Sequence, residues 1–239
     1  AADVVRKTYS TPSGYLTVEL LADDPVHFEA AAGSAPPGSE AIYTSPMILK
    51  TDYVGPSSVV DDGTRLETPE IRLDVDAANL CVKIHDKARG DTYLTTICPV
   101  ELNVPFKGLN IDPGKIEHVY GLGQQFKVLG SANGDWTAHG VREGSGGLGN
   151  GFDGFQEAAV GNVQIPIMYA VGSDHLNYAL FLDNVYKQRW DFDAFWWESR
   201  MFGDQVRFYL MTGEDLPDLR GDFMELVGTP PVPPRKALG

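Results

Sequence analysis

The sequence predicts an all-β domain. Three observations carry that expectation. First, 26 Gly and 16 Pro are spread through short apolar segments of a 239-residue chain, a composition that favours strands joined by turns over long helices. Second, residues 68–100 alternate apolar and polar side chains with a period of two, the pattern of half-buried strands. Third, 43% of the residues are hydrophobic and 10% aromatic, enough to close a substantial core and too much for a disordered chain. Acidic residues outnumber basic ones 33 to 19, for a formal charge of -14. That balance argues against nucleic acid, whose phosphates require clustered Lys and Arg. No apolar run approaches the roughly 20 residues needed to cross a bilayer as a helix, so no membrane partner is expected. The start at Ala1, without Met or a signal-type apolar stretch, suggests a processed N-terminus.

Along the chain, residues 15–21 read as a first strand and Val26–Ala30 as a second, across the turn Asp23-Asp24-Pro25. Residues 32–40 are small and polar. Ile71, Leu73 and Val75, then Leu80, Val82 and Ile84, alternate with polar neighbours, and Tyr93–Ile97 follows the turn Lys87-Ala88-Arg89-Gly90. These segments predict an antiparallel meander. Residues 130–162 are Gly-rich and aperiodic, and a loop that long inside a compact domain is functional or mobile. Strands resume at 163–169, 178–182 and 206–210. One helix is predicted near the C-terminus: Thr212 is a candidate cap with Asp215 three residues on, Pro217 lies in the first turn, and Leu216, Leu219, Phe223, Leu226 and Val227 recur at helical spacing before Gly228. The Pro-rich stretch from Gly228 to Arg235 reads as an extended connector, and a connector leading to four more residues suggests that the polypeptide continues. No internal repeat is present.

The two cysteines can be placed by counting. If Arg89-Gly90 is the centre of a two-residue hairpin, Val82 faces Ile97 and Cys81 faces Cys98. Two outcomes stay open at this point: a disulfide, implying an oxidising compartment, or two buried thiols on one sheet face. Gly144-Ser145-Gly146-Gly147-Leu148-Gly149 has the Gly-x-Gly-x-x-Gly spacing, but neither a buried strand before it nor a helix after it supports a dinucleotide loop. No cofactor is expected. His27, His85, His118, His139 and His175 are scattered without ligand spacing, so no metal site is expected and structural histidines are the plain reading. No Gly-x-Ser-x-Gly elbow occurs, and 33 acids do not single out two that face each other. Trp190, Phe192, Phe195, Trp196 and Trp197, interleaved with Asp191, Asp193 and Glu198, either pack a core or offer ring faces to sugars.

Several segments together carry a resemblance. They are His118–Phe126 (His-Val-Tyr-Gly-Leu-Gly-Gln-Gln-Phe), Ile165-Pro166-Ile167, Tyr178–Asn184, Phe208–Gly213 and Gly228–Gly239. In that order and spacing, over about residues 66–239 with Thr68–Asp86 as early strands, they resemble the N-terminal domain of glycoside hydrolase family 31. The resemblance implies a galactose-mutarotase-like β-sandwich at residues 1–228, with one short C-terminal helix. Residues 229–239 would be a Pro-rich exit toward a (β/α)8 barrel that is not in this chain, since such a barrel needs about 250 residues.

The family is dominated by retaining α-glycosidases, chiefly α-glucosidases, with α-xylosidases, sulfoquinovosidases and α-transglycosylases among them. Its two catalytic aspartates lie on the barrel, so no catalytic residue is expected here. The resemblance further implies a loop reaching over the barrel mouth, matched best by Gly149–Phe155. Asp153 would contact sugar hydroxyls, with Asn150, Phe152 and Phe155 as substrate-binding neighbours; the competing reading of Asp153 is a turn residue beside Gly. Asn150 stands three residues before Asp153, unlike the Asn-x-Asp spacing of α-glucosidases.

The implied function is that of an N-terminal domain of a retaining α-glycosidase or α-transglycosylase, supporting the barrel and shaping its cleft. Its partners would be an α-glucoside or related α-glycan and that barrel. The alternative is a stand-alone carbohydrate-binding module without catalysis. A third reading, a mutarotase-like enzyme, would need a His and a Glu as acid and base. The acidity, the missing Met and, if it forms, a Cys81–Cys98 bridge point to a secreted or periplasmic setting.

Overall fold

The computed structural model describes residues 3–33, 46–123, 141–144, 165–184, 186, 188–234 and 236. Among these residues the strands, in chain order, are β1 (Val5–Thr11), β2 (Gly14–Leu20), β3 (Val26–Ala31), β4 (Val60–Asp61), β5 (Arg65–Glu67), β6 (Ile71–Asp76), β7 (Cys81–Asp86), β8 (Thr92–Val100), β9 (Phe106–Ile111), β10 (Ile116–Gly121), β11 (Val141–Gly144), β12 (Ile167–Gly172), β13 (Asn177–Leu182), β14 (Gln188–Asp191), β15 (Trp197–Phe202) and β16 (Gln205–Gly213), followed by the helix α1 (Leu216–Val227). They form two antiparallel sheets. Sheet A has the order β1-β2-β3-β16-β13-β12-β10, and sheet B the order β11-β14-β15-β9-β8-β7-β6-β5-β4.

Alternation explains the sandwich. Leu16, Val18 and Leu20 of β2, Val26, Phe28 and Ala30 of β3, and Val206, Phe208 and Leu210 of β16 point inward from sheet A. They meet Ile71, Leu73 and Val75 of β6, Val82 and Ile84 of β7, and Leu109 and Ile111 of β9 from sheet B in one continuous buried cluster. Phe28 and Phe208 face each other across β3 and β16 and stack with centroids 4.7 Å apart. Each fully buried aromatic of this kind contributes about 3–5 kcal/mol relative to alanine.

Sheet A is buried on its outer face too. Leu219, Phe223 and Leu226 of α1 cover Phe181, Tyr209 and Met211 in a second apolar cluster that includes Leu21 and Ile48. The helix starts where expected but on a different cap. Asp215 accepts the Asp218 N–H at 2.9 Å and Pro217 sits in the first turn, whereas the Thr212 hydroxyl and N–H both donate to Asp24 at 2.6 Å. Thr212 still belongs to β16, so its amide is spoken for before the helix begins.

Several strands differ from the sequence expectation. β9 escapes a period-two reading because it places Lys107 inward and has Gly108 opposite Arg200. β1 is a polar edge strand with little apolar signal. Of the strand expected at 163–169, residues 163 and 164 lie outside the described residues, and β12 starts at Ile167, since Pro166 has no N–H to add to the ladder.

The cysteine pairing is reached by a different path from the one counted. The β7–β8 loop is Lys87–Asp91, five residues rather than two, with Asp86 opposite Thr92 and His85 opposite Tyr93. One extra residue, Leu94, then bulges into β8, so that Ile84 pairs with Thr95 and Val82 with Ile97. The longer loop and the bulge each shift the register by one, and the shifts cancel. One step further on, Cys81 and Cys98 are joined in a disulfide. Replacing either cysteine with serine is expected to lower the unfolding free energy by about 2–3 kcal/mol, given a closed loop of this length; urea titration of the oxidised chain against the variant measures it.

Candidate functional site

The residues expected to contact substrate, Asn150, Phe152, Asp153 and Phe155, lie outside the described residues, as does most of the 130–162 stretch. What is described is where that stretch is anchored. The chain leaves sheet A at the end of β10, contributes β11 to the edge of sheet B beside β14, and rejoins sheet A at β12. The take-off is held tightly: Leu122 is fully buried and donates its N–H to the Ile167 carbonyl at 2.7 Å. Gly121 has φ of +99°, and a side chain there would run into that same carbonyl.

The same end of the sandwich carries the β9 start, the β13–β14 connection and the β15–β16 turn, because Phe202 pairs with Phe106 and Leu182 with Phe208. Three buried polar side chains fix these turns. Asn184 donates to the Phe202 carbonyl at 2.9 Å and accepts the Tyr186 N–H at 2.7 Å. Gln188 donates to the Asn184 carbonyl at 3.3 Å and accepts from the Trp190 indole at 3.1 Å. Lys107, only 4% exposed, donates its ammonium to the Gly203 carbonyl at 2.6 Å; burial lowers its pKa and Asp204 opposes the shift.

The aromatic cluster divides. Trp190, Phe192 and Trp197 are buried in the core, while Phe195 is exposed at the β14–β15 tip. Phe192 stands edge-on to Trp197.

A His–Glu pair does form, between residues the sequence reading did not connect. His27 of β3 lies opposite Glu19 of β2, and the His27 Nδ1 and the Glu19 carboxylate are 2.8 Å apart. Arg6 of β1 donates to the same carboxylate at 2.6 Å, and Tyr209 stacks on the His27 ring at 4.4 Å. Burial pushes the Glu19 carboxyl up, but hydrogen bonds and charge from His27 and Arg6 prevail and hold it below its ordinary value. Counting outward from the five-residue Leu21–Pro25 turn would have paired the two. His27 is 1% exposed, so no sugar reaches this ring, and the pair braces the outer face of sheet A. Among the described residues, no three His, Cys, Asp or Glu side chains converge in a way that could hold a metal ion, and no helix is long and apolar enough to cross a membrane.

This architecture matches solved structures along its whole length. A glycoside hydrolase family 31 dextranase of Flavobacterium johnsoniae, solved in complexes with isomaltotriose and with glucose, superposes on 100% of this chain with a TM-score of 0.72 at 19% identity. A family 31 α-xylosidase from a soil metagenome, complexed with xylose, covers 100% at 0.66 and 13% identity, and a xylosidase from Aspergillus niger covers 99% at 0.63 and 15%. The fold is that of a domain of family 31 enzymes. The chain spans only 29%, 36% and 34% of those three proteins. No family model matches the sequence, and no curated protein sequence matches it significantly.

On this family 31 fold, the side of α1 carries an unusual concentration of acids. The Asp24 carboxyl is buried and its pKa lies well above the ordinary value, because burial outweighs the two Thr212 hydrogen bonds and Asp222 and Glu70 add repulsion. Burial, then Asp218, Glu225 and Glu70, push Asp222 up to about 6; burial with Asp23 and Asp218 raises Glu70. An acid whose folded pKa is raised contributes stability that is complete below its unfolded value and is lost as pH rises through the folded one. Asp222→Asn is therefore expected to raise the unfolding free energy at pH 7.5 by about 1 kcal/mol, after discounting the shift for partial exposure. The gain should vanish below about pH 4, where the native acid is neutral in both states; denaturant midpoints of the two proteins across pH 3.5–8 test this.

Proposed function

We propose that residues 1–228 are the N-terminal β-sandwich domain of a retaining α-glycosidase or α-transglycosylase acting on α-linked glucosides or related sugars. Residues 229–239 then lead into a catalytic (β/α)8 barrel of the same polypeptide. The observation that carries this reading is the coverage: the whole chain superposes on the dextranase, yet accounts for 29% of it. Described residues 229–234 have no regular structure and are mostly exposed, which suits a connector.

Retaining hydrolysis needs a carboxylate nucleophile and an acid/base about 5 Å apart, and in this reading both belong to the barrel. This chain's part is to brace the barrel and to deliver a loop to its mouth. Asp153 is the residue proposed to contact sugar there, since an ionised carboxylate accepts hydrogen bonds from two hydroxyls and flanking glycines allow a close approach. Asn150, Phe152 and Phe155 would line the same outer subsite. A secreted or periplasmic setting is part of the proposal and draws on the Cys81–Cys98 disulfide. The mutarotase-like reading loses its best pair, because His27 and Glu19 are sealed from solvent.

The test is the intact mass of the native gene product, with release from an aryl α-glucoside assayed beside it. The expected result is a product far heavier than the 26.1 kDa of this chain, active where the 239-residue chain is inactive. Glycosidase activity in this chain alone, or a native product that ends at Gly239 and is inactive, would sink the proposal.

A further inference from the structure

The helix α1 carries carboxylates along one side. Asp218, Asp222 and Glu225 stand at positions i, i+4 and i+7, so they share a face, and like charges at that spacing destabilise a helix. Arg220 is its one basic residue. Glu225 lies in the last turn, where the helix dipole disfavours an anion, and Gly221 weakens the middle. A 12-residue helix with these features is marginal by itself. Its order depends on docking Leu219, Phe223 and Leu226 against sheet A.

The frame on which it docks presents further acids. Asp23 and Asp24 lie in the β2–β3 turn and Glu70 in the β5–β6 turn, and both turns are fixed to the sandwich. The Thr68 hydroxyl donates to the Asp23 carbonyl at 2.7 Å, and the Lys87 N–H to the Glu70 carbonyl at 2.8 Å. Asp24 accepts from Thr212 through Oδ2, while its Oδ1 is buried without a hydrogen-bond partner among the described residues. Asp222 and Glu70 both act on Asp24, and Asp218 acts on both Asp222 and Glu70. Carboxyls of the helix and of the frame therefore oppose one another across the docking surface.

Few cations answer them. Lys50 is shared by Asp52 and Glu225, at 3.5 and 3.2 Å. Arg89, whose charge favours ionised Glu70, is itself bound to Asp86 at 2.6 Å, and Arg220 acts on Tyr169 of β12. His175 Nδ1 lies 3.2 Å from the Glu214 carbonyl, ahead of the helix. Tyr53 is raised by burial, Glu225 and Asp222, and Tyr209 by burial, Asp183 and Glu19, so both phenols stay neutral.

We propose that these opposed carboxyls make α1 a pH-sensitive clasp, which opens from sheet A locally, without global unfolding, as they lose their protons. The proton on Asp222, whose carboxyl is pushed up to about 6, stabilises the docked helix fully below about pH 4, and that stabilisation is lost as the pH rises through 6. Asp24 and Glu70, also raised, act in the same direction. The helix ends at Gly228, and its Leu226 carbonyl accepts the N–H groups of Leu49 and Lys50. Opening therefore frees the connector from residue 229 onward together with the segment at Leu49 and Lys50. The clasp requires neither a sugar nor a barrel.

The experiment is native-state hydrogen exchange, read by NMR on the 239-residue chain in low urea at pH 4.5, 6 and 7.5, with protection corrected for the intrinsic rate at each pH. The Phe223 and Met224 amides are expected to exchange through an opening with little urea dependence, and to be less protected than Val82 and Ile84 of β7. Their protection should fall about 5- to 10-fold from pH 4.5 to 7.5. The fall should shrink to about 2-fold in Asp222→Asn. It should also shrink, by a smaller factor, in Glu70→Gln, an exposed frame position whose replacement leaves the helix sequence intact. Exchange of α1 with the protection and urea slope of β7 would mean that the helix leaves only on global unfolding, and would overturn the clasp. Protection constant with pH, or a fall of full size in both variants, would overturn it as well.

Discussion

Burial of sheet A on both faces is the constraint from which the rest of the molecule follows. An antiparallel sheet ordinarily packs one face and wets the other. Here every residue of β2, β3 and β13 is buried. The inner face is satisfied by sheet B in the ordinary way. The outer face must be covered by something other than a sheet, and α1 does this over Phe181, Tyr209 and Met211.

The remainder of that outer face is polar, and its energetics are different. Buried Glu19 and His27 form one row with Arg6 at its exposed end, and Glu29 accepts from Tyr15 at 2.6 Å and from Gln205 at 3.1 Å in the next. Arg207 stands 3.7 Å from the fully buried Asp183 across β16 and β13. Such groups are tolerated out of water only when paired, and removing one partner leaves its mate uncompensated. Around α1 the balance is reversed: Asp24, Glu70 and Asp222 are acids held near one another with their pKa values raised, so the helix is attached by its apolar stripe against an electrostatic penalty at neutral pH.

The topology brings several irregular connections to one end of this frame. β10 and β12 begin and end the long Gly-rich excursion, and β11 ties it to sheet B. The β13–β14 and β15–β16 connections emerge beside it under the control of Asn184, Gln188 and Lys107. A rigid scaffold presenting variable loops at one edge is a common way to build a binding surface, and it is consistent with a sandwich whose structural relatives are sugar-bound enzymes several times its length.

The sequence alone determined the class of fold and the facing of most strands. Period-two alternation in β6 and β7 and helical spacing in α1 are local properties, and they named Ile71, Leu73, Val75, Val82, Ile84, Leu219, Phe223 and Leu226 as buried. The order of the resembling motifs also indicated the family whose fold the chain shares. Strands with mixed signals were not legible, because the burial of Lys107 and the crowding of Gly108 against β15 arise from distant residues. The meeting of Cys81 with Cys98 depends on a five-residue loop and a bulge at Leu94 whose offsets cancel, something composition does not encode. Which acids share a pocket, which aromatics stay in water and which histidine is sealed were decided only by tertiary structure. Each depends on long-range strand pairing, where residues far apart in sequence, such as Asp24 and Thr212, meet in hydrogen bonds.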